Sequence, residues 1–186
     1  MTFNMCKLSR CTMIAPLSIV IVVVLSANAL SAESVPYRVN AQEWLRHGTP
    51  DGEVFTCKPC SEQVQIQISV GPEIPSDALF TNNSQFIDSL STEEAQNDFA
   101  VSIMQRSVPG SFEIDIYQTG VSSFGGLNVL QFAATVESGP YLSYDTTMIA
   151  LHRNRIIKIS LNYLDGAMNE ETSQIVSRFF ESFRFF

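Results

Sequence analysis

Two of the chain's four cysteines stand at a spacing that could do chemistry. Cys57 and Cys60 frame Lys58-Pro59 in the run FTCKPCSEQVQIQISVG, residues 55–71. Such a pair can be a redox dithiol, half of a metal site or a structural disulfide. Redox chemistry needs a thiolate stabilised at a helix N-terminus. Here only Ser61-Glu62-Gln63 separates Cys60 from strict alternation starting at Val64, which leaves no length for a helix. A preceding βαβ setting is also missing. A zinc site needs about four ligands. The chain's two histidines, His47 and His152, would both have to converge on the pair. In an exported chain the simplest reading joins Cys57 to Cys60 in a disulfide. The redox and metal readings stay open at this point.

Other reactive constellations are missing from the sequence. It holds no Gly-x-Ser-x-Gly elbow, no phosphate-binding glycine loop, no dinucleotide fingerprint and no His-Glu-x-x-His. Glu113 with Asp115 falls on the polar side of an alternating run, and Glu93 with Glu94 falls in the first turn of a helix pattern. Both acid pairs have structural explanations and neither indicates acid–base work. Asn82-Asn83-Ser84 is a glycosylation sequon, relevant only in a glycosylating secretory pathway. The expectation is a protein without catalysis, cofactor or metal.

The N-terminus supplies an address. Lys7 and Arg10 precede the apolar run TMIAPLSIVIVVVLSANA, and Ala27-Asn28-Ala29 and Ala32 follow. A basic region, an apolar stretch and small residues describe a secretory signal peptide. The uninterrupted run Ile19–Leu25 falls well short of the ~20 residues of a spanning helix. Residues 1–32 are therefore expected to be a signal segment, cleaved or retained as an anchor, and residues 33–186 one globular domain. Cys6 and Cys11 would leave with the leader. Beyond residue 32 stand nine basic and 19 acidic residues, a net charge of −10. Such a surface repels phosphate backbones, so nucleic acid is excluded as a partner. It equally disfavours anionic lipid, and membrane attachment is expected only through an uncleaved N-terminal segment.

The elements that must position these residues can be read from periodicity. Glu33–Pro50, broken by Pro36 and Gly48-Thr49-Pro50, reads as a lead-in segment, with Trp44 and Leu45 tucked onto the core. Val64, Ile66, Ile68 and Val70 alternate with polar residues as a strand. Residues 71–85 read as the longest loop. Ser91-Thr92-Glu93-Glu94 predicts a capping box with Ser91 as N-cap, opening a helix whose stripe is Ala95, Phe99 and Ile103. Four strands follow, at 111–119, 130–136, 141–151 and 155–163. Their short connections cannot make parallel crossovers, so they form an antiparallel meander. A final helix starts near Asn169, with Ile175, Phe179 and Phe183 on its apolar side. Half-polar strands with two helices to place imply that both sheet faces are partly covered.

The long helix, the meander closing on LHRNRIIKISLNYLDG and the terminal helix SQIVSRFFESFRF resemble the PsbP-like superfamily, over roughly residues 54–186. That group includes the extrinsic photosystem II subunit and DcrB-type envelope proteins. The shared features are the basic hairpin turn His152-Arg153-Asn154-Arg155 and the aromatic-x-Ser-Phe ending, Phe180-Glu181-Ser182-Phe183. The resemblance implies an α+β fold, an α-β-α sandwich around an antiparallel sheet, and a non-enzymatic accessory or binding role. It transfers no functional residue, and Cys57-x-x-Cys60 is not part of the pattern.

The functional expectation is an exported, periplasmic or secreted module that binds a protein of the envelope or extracytoplasmic space. A thiol–disulfide protein using Cys57 and Cys60 is the alternative. Contact is expected at loop 71–85 and at the Gly120–Gly126 segment, where Phe124 offers an aromatic anchor or packs on the sheet edge.

Overall fold

Strand alternation makes the framework. In RIIKISLNYL, Ile157, Ile159 and Leu161 point to one side and Ile156, Lys158 and Ser160 to the other, so this strand needs cover on both faces. A computed structural model of the chain describes residues 36–60, 64–108, 110 and 112–186, without the side chain of Ser138. The expected leader, residues 1–32, lies outside the described residues.

The elements in order are β1 (Tyr37–Arg38), β2 (Trp44–Thr49), β3 (Gly52–Cys57), β4 (Val64–Glu73), α1 (Asn83–Asp88) and α2 (Glu93–Ser107). They continue with β5 (Glu113–Phe124), β6 (Leu127–Ser138), β7 (Tyr141–His152), β8 (Arg155–Leu164), α3 (Glu170–Ser182) and β9 (Arg184–Phe185). Seven strands form one antiparallel sheet ordered β2-β3-β4-β8-β7-β6-β5. β1 and β9 pair separately. The meander β5 to β8 runs as its alternation and short turns require. The expected α+β architecture, with helices on both faces of an antiparallel sheet, is the one observed.

Each face has its own core. On one side α3 lays Ile175, Val176 and Phe179 over Phe55, Val64, Ile66, Ile68, Ile157 and Ile159. Phe179 meets the rings of Trp44 and Phe55 edge-on, each at 5.1 Å. On the other side Phe86 of α1 and Ala100 and Met104 of α2 cover Leu130, Phe132, Ala134, Ile149 and Leu151.

Several local expectations are corrected. The segment before residue 50 is not merely a lead-in: Trp44–Cys57 is a β-hairpin, with Gly48–Pro50 leading into its turn. Trp44 is buried as expected, whereas Leu45 points to the other face and is half exposed. Gly52 sits at φ +151 where a Cβ would collide with the Ile68 carbonyl, so only glycine fits. The N-cap of α2 is Thr92, which accepts from Ala95 N at 3.2 Å; Ser91 is one residue outside. Position N3 is then Ala95, and Glu94 cannot close a capping box. Gln96 instead donates to Leu90 O at 2.9 Å, fixing the approach to the helix. The buried stripe is accordingly centred on Ala100 and Met104, with Ala95, Phe99 and Ile103 at its margins.

β4 extends to Glu73 and α1 begins at Asn83, so the expected 71–85 loop shortens to residues 74–82. Residues 120–126 are not a loop: they are the end of β5 and the two-residue turn Gly125-Gly126. Gly125 has φ +59, and a Cβ there would stand 3.0 Å from the Phe185 ring. The β7–β8 turn puts Arg153 and Asn154 at φ 48 and 60, the left-handed pair of a type I′ hairpin.

Candidate functional site

Cys57 ends β3 opposite Trp44 and is joined to Cys60 in a disulfide, with Cα atoms 5.3 Å apart. Cys57 is 3% exposed within the α3-side core, and Cys60 packs against the same core. The described elements flanking the pair are both strands, β3 and β4. The turn is tied down independently: Lys58 N donates to Glu43 O at 2.9 Å, and Lys58 Nζ donates to Gln42 O at 3.0 Å. This surrounding fits a staple on the end of a hairpin and gives neither sulfur a helix N-terminus.

The histidines go to separate places. His47 is exposed on the edge strand β2. His152 closes β7, with Nε2 2.8 Å from the Phe186 carbonyl, while Arg153 stacks over the Phe186 ring at 5.5 Å. The basic hairpin turn therefore holds the end of the chain. Among the described residues, no group of three or more His, Cys, Asp or Glu could hold a metal ion.

Phe124 lies at the tip of the β5–β6 hairpin. Its ring meets Phe183 at 5.1 Å, Phe180 at 5.8 Å and Phe185 at 6.4 Å. It is half-buried and belongs to the α3-side core. The sequon's Asn82 caps α1 by accepting from Gln85 N at 3.0 Å. Asn83 ties α1 to the sheet, donating to Asn128 O at 2.7 Å and accepting from Leu151 N at 2.9 Å.

Two features escaped the sequence reading. The first is a buried polar chain on the face that carries α2. Thr147 donates to Asp145 Oδ1 at 2.6 Å, and its Oγ1 stands 2.7 Å from Ser160 Oγ. Asp145 is 7% exposed, and burial pushes its carboxyl above the usual range against the opposing pull of Thr147 and Lys158. Lys158 Nζ donates to Ser107 Oγ at 3.0 Å in an exposed setting. A serine–lysine nucleophile needs a desolvated amine, which this bond does not provide. The chain has a serine, a threonine and an acid without a base joined to them, and its arrangement suits cross-strand stitching.

The second feature is a tyrosine corner on the opposite face, beyond α3. Tyr144 and Tyr163 are cross-strand partners with rings stacked at 5.2 Å. Burial, with Tyr117 and Tyr144 close by, raises the Tyr163 hydroxyl pKa. Tyr117 occupies the bulge between Ile116 and Gln118 and is 55% exposed. Glu113 and Glu137, both exposed, stand directly opposite each other at the rim, and Asp115 is cross-strand to Thr135. The alternating pattern set Glu113 and Asp115 on the polar side of their strand and gave no such signal for Tyr144 or Tyr163. It could not show that β5, β7 and β8 bring the tyrosines together, because that depends on register and on the bulge.

Comparison with known proteins agrees on the fold. No protein-family profile and no curated sequence matches the chain. Among solved structures it is similar to cyanobacterial PsbP (CyanoP) from Synechocystis sp. PCC 6803, with a TM-score of 0.58 and 14% identity over 81% of this chain and 87% of that one. A Bacteroides thetaiotaomicron protein aligns with a TM-score of 0.50 and 8% identity, over 81% of this chain and 45% of that one. LpqN, involved in cell envelope biogenesis of Mycobacterium tuberculosis, aligns with a TM-score of 0.45, 10% identity and coverage of 80% and 82%. The fold is PsbP-like.

Proposed function

We propose that this protein is an exported, non-catalytic accessory module, periplasmic or secreted, that works by binding another protein. The observation that carries the reading is the tyrosine corner. Tyr117, Tyr144 and Tyr163 gather on a part of the sheet that α3 leaves partly open, within a rim of carboxylates. Tyrosines presenting an apolar ring and a polar tip are the side chains that interfaces favour. The export pattern at Lys7 to Ala32 and the PsbP-like fold support the same reading, the fold by analogy only.

Photo-crosslinking residues placed at positions 117 and 144 of the full chain, in the native envelope, test it. One recurrent protein adduct at both positions is the expected result. Adduct-free protein that instead turns over a dithiol substrate, and loses that activity in Cys60→Ser, would sink the binding reading in favour of the redox one.

A further inference from the structure

We infer that the margin between α2 and β5 is a groove for a short extended segment of a partner protein, added to the sheet as an extra strand. The inference rests on the protein-binding reading and names a second surface and the kind of sequence it takes. β5 is the last strand of the seven-stranded sheet and hydrogen-bonds only to β6 among the described strands. Its outer main-chain groups therefore face away from the sheet, which is the template that strand addition uses.

Beside this edge lies a cavity of about 600 Å³, within the usual size range of binding clefts. One wall is a single side of α2, where Asn97, Val101 and Gln105 recur every four residues. The other is β5, with Ile114 and Ile116. Asp115 also lines the space. Consecutive strand side chains point to opposite faces, so three successive lining residues mean that the strand's own edge forms part of the wall. The bulge at Tyr117 ends the regular stretch, leaving the four residues Glu113–Ile116, or ~14 Å, for pairing.

An added strand would present alternate side chains to two different surroundings. On the α2 side they meet Val101, Ile114 and Ile116, which favour apolar residues. On the other side they meet Glu113 and Asp115, with Glu137 directly across from Glu113. Like charges placed opposite each other destabilise a strand pair, and a partner's cations would relieve that repulsion. The groove therefore fits alternating apolar and basic residues. Edge protection alone accounts for charges on β5. It does not account for a cleft walled by a helix beside them.

The test uses the full chain and two capped peptides, Lys-Val-Lys-Val-Lys and Glu-Val-Glu-Val-Glu. The basic peptide should bind at least tenfold more tightly. It should also slow hydrogen exchange at those amides of residues 112–116 that point away from β6. Val101→Trp, which fills the cleft, and Glu113→Lys with Asp115→Lys should each weaken binding tenfold or more while the melting temperature holds. Equal binding of both peptides, unchanged exchange on β5, or a solution dimer that seals β5 against a second copy would overturn the proposal. A crosslinked partner at positions 117 and 144, with β5 unprotected, would remove this groove and leave the protein-binding reading standing.

Discussion

Asp145 is the buried carboxyl whose charge state the fold constrains most plainly. Burial raises its pKa, and the hydrogen bond from Thr147 and the charge of Lys158 oppose that shift. A raised native pKa means that the folded state holds its proton to higher pH than the unfolded chain does. The group's favourable contribution is full below the unfolded value of about 3.9 and is lost as pH rises through the native value. Asp145→Asn keeps an oxygen to accept from Thr147 and removes the charge. Urea unfolding should find this variant as stable as the parent or more so at pH 7, with the difference closing toward pH 4. A variant clearly weaker at pH 7 would show that the ionised carboxylate is a favoured native partner. The cysteine pair belongs to the same scale. Its loop is so short that closing it contributes only about 2 kcal/mol in the chain-entropy model. Cys57→Ser with Cys60→Ser should therefore fold and melt somewhat earlier; failure to fold would give the bridge a larger role. The sequence exposed this pair because spacing is local. It hid the Asp145–Thr147–Ser160 chain, because Thr147 and Ser160 meet only through the register of β7 on β8.

Element by element, legibility followed the strength of local signals. The start of α3 near Asn169 was readable because Glu170 and Glu171 follow it and an apolar stripe begins beyond; the structure makes Asn169 its N-cap. At α2, Ser91 and Thr92 are both capable caps, and the register of one turn decides between them. The β2–β3 hairpin was missed because Gly48-Thr49-Pro50 reads equally as a break between elements and as the approach to a turn. The end of β5 was missed because its small residues look like a loop, whereas pairing with β6 makes them strand. Two outcomes test this scale. Asn169→Ala removes the acceptor for Thr172 N at 2.8 Å and should cost about 1 kcal/mol by chemical denaturation. Phe124→Ala strips the hairpin tip from the rings of Phe180, Phe183 and Phe185 and should cost roughly 2–4 kcal/mol. Unchanged stability in Phe124→Ala, together with a lost crosslinked partner, would move this ring from the core to the interface.

At the scale of the whole molecule, two cores on opposite faces of one sheet follow from the alternation of β7 and β8, which carry apolar residues on both sides. That much of the architecture was in the pattern, whereas α1, whose Phe86 joins the α2-side core, was not among the two helices expected. What periodicity could not supply was the placement of α3 on the sheet, which follows from ring contacts of Phe179 with Trp44 and Phe55 and of Phe180 with Phe124, all distant in sequence. The tyrosine corner left at its margin is a product of that placement. Export, as proposed, would set the redox environment for Cys57 and Cys60 and determine which partners the surface can meet. The order of Lys7 and Arg10, the apolar run and the small residues at Ala27-Asn28-Ala29 leads to a definite outcome. The chain should be recovered outside the cytoplasm and shortened near Ala29 or Ala32. Removal of this segment takes two cations and no acid, so the shortened form should focus at lower pH than the full chain. Mass spectrometry of the exported protein checks the first part and isoelectric focusing the second. An intact peptide from Met1 to Arg10 in the exported protein would mean that the segment stays as an anchor. Protein confined to the cytoplasm would remove the oxidising compartment, leave the disulfide without its chemical environment, and sink the envelope reading with it.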